Sequence, residues 1–214
     1  MDLRLSEASP SPAERAAVDA VLGPPDSGWV GGARQSTQEG HSARGGQEMR
    51  GRRHLLLPAL HAVQDRVGWI SPEALNYVCR RLDIPPAEAY GVASFYALFS
   101  LAQRPPVVAH VCDDIACLAS GADQVCVELE RALGPAGTPS ADGRATWHRS
   151  PCLGLCERAP AALLIAAGER PTEQALAPIK TADVMTALSN SPTAEAAPTF
   201  VPQAGDPQLR LTRC

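Results

Sequence analysis

Apolar residues recur at helical spacing over roughly the first hundred positions and then change to short continuous runs, so the pattern divides the chain in two. Ser11-Pro12-Ala13-Glu14 reads as a helix start, with Ser as N-cap, Pro at the first helical position and Glu completing a capping box. Ala17, Val18, Val21 and Leu22 make one stripe, which Gly23-Pro24-Pro25 closes. The period returns at Leu55-Leu56-Leu57 and runs through Leu60, Ala62, Val63 and Val67; Pro58 is tolerated because the helix begins just before it. After Gly68-Trp69-Ile70, Ser71-Pro72-Glu73 caps a helix whose Leu75, Val78, Cys79 and Leu82 fall at i, i+3, i+4 and i+7. Pro85-Pro86-Ala87-Glu88 opens another short helix leading into Ala93–Phe99, whose aromatic residues are expected to anchor the helical part against the second half of the chain. Residues 11–103 are therefore expected to form an all-helical unit.

Beyond Arg104-Pro105-Pro106 the run Val107–Val111 reads as a buried strand ending at Cys112. A helix is expected from about Ala119 to Leu133, with Val125, Cys126, Leu129 and Leu133 inward. Ala145–His148 and Ala161–Ala166 read as further strands, Pro171 to Pro178 as an inserted loop, and Ala182–Leu188 as a last helix. That order suggests an α/β sandwich over residues 104–190, with helices over a sheet. Residues 1–10 are expected to be flexible. The stretch 23–53, rich in Gly, Ser, Gln and Arg, reads as a loop insertion in which Arg50, Arg52 and Arg53 form a solvated run. Residues 191–214 carry Pro192, Pro198, Pro202 and Pro207 and read as a disordered tail ending in a free thiol, Cys214.

Composition narrows the function. Of 214 residues 45% are hydrophobic and 4% aromatic, so the core rests on Leu, Val and Ala. A net charge of −4 offers no basic field for nucleic acid. No export signal and no apolar run near the ~20 residues of a membrane span is present, which points to a cytoplasmic protein without direct membrane insertion. In that reducing compartment clustered cysteines bind metal or do redox chemistry more often than they form disulfides. No G-x-G-x-x-G follows a strand and no P-loop occurs, so the chain has no recognisable nicotinamide motif.

Four of the seven cysteines fall in two tight pairs, Cys112-x4-Cys117 and Cys152-x3-Cys156, each in a loop just past an expected strand. If those strands are parallel neighbours, both loops emerge at one edge of the sheet. Four thiolates suit a 2Fe–2S cluster or a zinc ion; structural zinc sites favour shorter spacers, so the spacing leans to iron–sulfur and leaves zinc open. A thioredoxin-type dithiol would need C-x-x-C, which is absent. His110 and His148 invite a Rieske arrangement, but four cysteines already fill the ligand set, and both read as ordinary strand or loop histidines. His41, His54 and His61 have no ligand spacing, and Cys79 and Cys126 read as core thiols. Small Ala116 and Gly154 permit close backbone approach and N–H groups aimed at sulfur. Asp113 and Asp114 follow the first ligand; they either lower a cluster's potential or face solvent.

Three stretches carry a family resemblance: Leu56-Leu-Pro-Ala-Leu-His-Ala-Val-Gln64 through Gly68-Trp69-Ile70, Tyr90-Gly-Val-Ala-Ser-Phe-Tyr-Ala-Leu-Phe99, and Cys152-Leu-Gly-Leu-Cys156-Glu-Arg-Ala-Pro160-Ala161. Together with the two cysteine pairs they resemble the thioredoxin-like 2Fe–2S subunit of complex I and of related NAD-dependent formate dehydrogenases and NAD(P)-reducing hydrogenases. The resemblance implies a small helical bundle followed by a thioredoxin-like ferredoxin domain. It further implies one 2Fe–2S cluster on Cys112, Cys117, Cys152 and Cys156, with FMN and NAD bound not here but on a flavin-bearing, NADH-oxidising partner subunit. The chain is then expected to be a non-catalytic electron-transfer subunit. The long 23–53 insertion and the tail depart from the respiratory pattern and favour a formate dehydrogenase context.

Overall fold

Ser11 begins helix α1 (Pro12–Leu22) with a complete capping box: its Oγ accepts from the Glu14 N–H at 3.3 Å, and Glu14 accepts from the Ser11 N–H at 2.7 Å. The other Glu14 oxygen accepts from the Ser71 hydroxyl at 2.5 Å, while Ser71 Oγ itself accepts from the Ala74 N–H to cap a later helix. Two helix starts far apart in sequence are thereby joined through one buried carboxylate. The computed structural model describes residues 9–25 and 51–191. The expected flexible N-terminus up to residue 8, most of the insertion with His41 and Arg50, and the tail from residue 192 with Cys214 lie outside them.

A 3₁₀ turn (Arg53–Leu55) leads into α2 (Leu56–Val67), which Gly68 ends in the left-handed region at φ 90°. Helices α3 (Pro72–Leu82) and α4 (Pro86–Phe95) complete the bundle. Val18, Leu60, Val63, Leu75, Val78, Cys79 and Leu82 pack into one core, each apolar side chain contributing roughly 1.5–3 kcal/mol by leaving water. Arg52 and Arg53 are not simply solvated: Arg52 donates to the Leu22 carbonyl at 2.9 Å, and Arg53 pairs with Glu88 at 2.7 Å.

The expected aromatic anchor is in part overturned. Phe95 is 79% exposed and Tyr96 44%, and only Phe99 enters the core, its ring 4.6 Å from that of His61. The buried face of α4 is Ala89 and Ala93, and Phe95 falls two residues past Ala93, about 200° around the helix. The bundle is held to the following segment by polar groups instead. Gln64 donates to the Leu98 carbonyl and accepts from the Ser100 N–H, both at 2.7 Å. Arg104 donates to the carbonyls of Gly68 and Leu98, and the Gly168 N–H donates to the Asp65 carbonyl.

The second unit contains β1 (Val107–Cys112), α5 (Ile115–Ala119), α6 (Ala122–Leu133), β2 (Ala145–Ser150), β3 (Ala162–Ala166), β4 (Thr172–Leu176) and α7 (Thr181–Asn190). The sheet order is β2-β1-β3-β4. β1 and β2 are parallel with Cys112 opposite Ser150; β3 runs antiparallel to β1 with Ala162 opposite Val111, and β4 antiparallel to β3. Val107, Ala109, Val111, Trp147 and Leu164 pack against Val125, Cys126 and Leu129 of α6 and Val184 of α7. The helical bundle followed by an α/β unit is as expected, with three differences. Residues 172–176 form an edge strand where an inserted loop was expected, because Glu173, Gln174 and Ala175 are all exposed and leave no apolar alternation to read. The helix expected from about Ala119 starts at Ala122, after Gly121 at φ 91°, and the separate short helix α5 occupies the stretch expected as the first cysteine loop. β2 also continues two residues further, to Ser150.

Gln64→Leu removes the partner of the Ser100 N–H and is expected to lower stability by about 1–3 kcal/mol, read as a lower urea midpoint at unchanged slope. A loss under about 0.5 kcal/mol, the range of an ordinary surface change, would show that this side chain does not hold the bundle to the segment after it.

Candidate metal centre

Parallel pairing of β1 and β2 places the chain segments leaving both strands at the same sheet edge, and β3 begins there too. Cys112 is the last residue of β1, buried, with its N–H donated to the Ala161 carbonyl at 3.0 Å. The next N–H, of Asp113, is donated to the Ser150 carbonyl at 3.1 Å, so the strand end is gripped from both sides. Cys117 is buried on the short helix α5. Cys152 is exposed in the loop after β2, and Cys156, also exposed, opens a 3₁₀ turn (Cys156–Arg158). Two of the cysteines expected in loops thus sit on short helical segments.

The pairs are close within themselves. Cys152 Sγ lies 3.4 Å from Cys156 Sγ, far beyond the ~2.05 Å of a disulfide. Burial and then a hydrogen bond with Cys112 push the Cys117 thiol above its ordinary pKa, and the charge of Cys156 acts in the same direction. Cys156 is raised first by its hydrogen bond with Cys152, then by that neighbour's charge, by burial and by Cys112. Each pair therefore feels the other, and the repulsion that opposes four thiolates here is what a bound cation relieves. Among the described residues no group of three or more His, Cys, Asp or Glu side chains gathers as a site for one metal ion; the thiols that touch are Cys112 with Cys117 and Cys152 with Cys156.

Backbone and acidic groups shape the two loops. Gly154 takes φ 77°, a conformation that L side chains rarely adopt, and its N–H points at Cys152 Sγ at 3.4 Å. Asp114 caps α5 by accepting from the Ile115 N–H at 2.7 Å, and its other oxygen accepts from the Cys152 N–H at 3.2 Å. Asp113 pairs with Arg149 at 3.4 Å, and Arg149 also faces Asp123 at 3.8 Å. Neither aspartate simply faces solvent. The Cys152 contact and the Arg149 pairings escape sequence reading; only the cap signal, Asp114 just before a helical turn, was available.

His110 and His148 are register partners on β1 and β2, their rings stacked with centroids 6.1 Å apart. Burial, followed by the charges of Arg104 and His148, pushes His110 down to about 3, so its ring is neutral near pH 7. Cys79 and Cys126 lie in the two hydrophobic cores, and burial pushes the Cys79 thiol up to about 12.

Against known proteins, residues 44–189 match the family model described as thioredoxin-like [2Fe-2S] ferredoxin. The chain belongs to the thioredoxin-like [2Fe-2S] ferredoxin family. All four paired cysteines lie inside the matched region. The chain is 34% identical over 111 residues to NADH-quinone oxidoreductase subunit 2 of Thermus thermophilus, covering 51% of this chain and 61% of that protein. A further relative, from the NADH-quinone oxidoreductase of Pseudomonas aeruginosa, is 38% identical over 112 residues, covering 50% of this chain and 66% of that one. The NADP-reducing hydrogenase subunit HndA of Solidesulfovibrio fructosivorans is 31% identical over 116 residues, covering 54% of this chain and 66% of that protein. The chain thus spans about two thirds or less of the length of these relatives.

Thiol reactivity follows thiolate character and access. In the metal-free ferredoxin-family chain, iodoacetamide at pH 8 is expected to modify Cys152 and Cys156 well before Cys79 and Cys126, as followed by peptide mass spectrometry. Labelling of Cys79 at the rate of Cys152 would contradict its burial.

Proposed function

We propose that this chain is an electron-transfer subunit carrying one 2Fe–2S cluster, ligated by Cys112, Cys117, Cys152 and Cys156, beside a flavin-bearing subunit that oxidises NADH. The observation that carries the reading is the arrangement of two cysteine pairs at one sheet edge, inside the region that matches the family. Two thiolates held about 2.3 Å from one tetrahedral metal lie roughly 3.8 Å apart, and the 3.4 Å between Cys152 and Cys156 is close to that separation. A binuclear cluster takes two thiolates at each iron, which is what the pairs offer, whereas a single zinc asks all four to converge. When bound, the cluster accepts and returns one electron. The chain's own part is to hold two buried and two exposed thiols in one edge, with the Gly154 N–H aimed at sulfur and the exposed pair facing outward.

The relatives are named as subunits of NADH-quinone oxidoreductases and of an NADP-reducing hydrogenase, which supports a place in a larger oxidoreductase. FMN and NAD belong in this reading to the partner, which splits a hydride into single electrons. This chain is then not itself catalytic. The formate dehydrogenase context rests only on the insertion and tail. A cytoplasmic location fits the six described cysteines, all of them free thiols. Among the described residues no helix is long and apolar enough to cross a membrane.

Anaerobically purified protein tests this ligand set by visible absorption. Serine at Cys112, Cys117, Cys152 or Cys156 is expected to abolish or badly destabilise the cluster, while Cys79→Ala and Cys126→Ala retain it. Loss of absorbance in Cys126→Ala equal to that in Cys152→Ser would show the ligand set to be misassigned. Co-purification with a flavoprotein supports the subunit role, and elution alone with a full cluster would favour a free-standing ferredoxin.

A further inference from the structure

The second cysteine pair has little regular structure to hold it. β2 ends at Ser150, and the next residue, Pro151, has no N–H to donate. The first backbone donor beyond the ladder is therefore that of Cys152, and it is donated to Asp114 Oδ2 at 3.2 Å. The same carboxylate accepts from the Ile115 N–H through Oδ1 at 2.7 Å, at the start of the helix that carries Cys117. One side chain thus contacts the element holding one member of the first pair and the backbone of the first member of the second. The nearby links, Asp113 N–H to the Ser150 carbonyl and Asp113 to Arg149, fix the strand ends below it but do not reach past Pro151.

We propose that Asp114 is a positioning residue, a clamp that sets the Cys152–Cys156 loop against the Cys112–Cys117 loop through the Cys152 N–H. It acts through the backbone of Cys152, whose N–H it accepts, and not as a ligand itself. The plainer role, a helix cap for α5 alone, needs only one acceptor oxygen, and serine supplies that. The clamp needs two oxygens aimed in two directions, which an ionised carboxylate has. Asp114→Ser therefore keeps the cap and loses the reach. Asp114→Asn keeps the shape but has one accepting oxygen for two N–H donors.

Amide hydrogen exchange on the metal-free chain separates the two roles without any bound cluster. In Asp114→Ser, exchange at Cys152 is expected to be about tenfold faster. At Leu118, whose N–H is donated to the Asp114 carbonyl at 2.8 Å, it is expected to be unchanged. Asp114→Ala, which has no side-chain acceptor, serves if the serine variant does not fold, and the same faster exchange at Cys152 is expected there. Unchanged exchange at Cys152 in a folded variant would overturn the proposal. A second arm rests on the functional reading above. The variant's cluster is expected to be lost to a chelator about 10- to 100-fold faster, with shifted g-values in the reduced-state resonance spectrum. A wild-type chain that holds no cluster refutes that reading and leaves the exchange result to decide the clamp; wild-type loss rates and g-values in the variant refute the clamp.

Discussion

The parallel pairing of β1 with β2 is the constraint on which the site depends. Cys112 and Ser150 stand opposite each other at the strand ends, so the two cysteine-bearing segments cannot leave the sheet except side by side. A one-residue slip would turn the side chains of one strand to the opposite face. The register is secured by Val107, Val111 and Trp147 facing α6 and α7, with Trp147 also donating its ring N–H to the Gly134 carbonyl at 3.0 Å. Core packing on one face therefore decides where thiols meet at the edge.

Assembling those thiols works against electrostatics. The raised positions of Cys117 and Cys156 record burial together with the charge and hydrogen bonding of their neighbours. The fold counters with backbone N–H groups, those of Ala161 at Cys117 and of Gly154 at Cys152. Arg149, between Asp113 and Asp123, balances acidic groups beside the site, although an ion pair this exposed contributes little to stability by itself. The helical bundle meets the α/β unit through the Arg66–Glu169 pair, Arg104 and the Asp65 carbonyl, not through aromatic packing. Phe95 and Tyr96 are consequently left outward.

Local chemistry made much of this legible in the sequence. Ser11 and Ser71 sit where their caps form, the Leu75–Leu82 face is buried, and the pairs Cys112–Cys117 and Cys152–Cys156 follow strands as expected. What escaped is non-local or lacks a hydrophobic pattern. β4 is an exposed edge strand with polar residues on both faces. Phe95 looked like an anchor by residue type, but helical phase turned it outward. The reach of Asp114 to Cys152 depends on two loops meeting in space, which no spacing rule encodes.

The most direct test of the cluster assignment is the iron and acid-labile sulfide content of anaerobically purified wild-type chain, read with its reduced-state electron paramagnetic resonance spectrum. Two irons and two sulfides per chain, with one paramagnetic signal on reduction, are the predicted result. A colourless chain holding one zinc and giving no signal would contradict it.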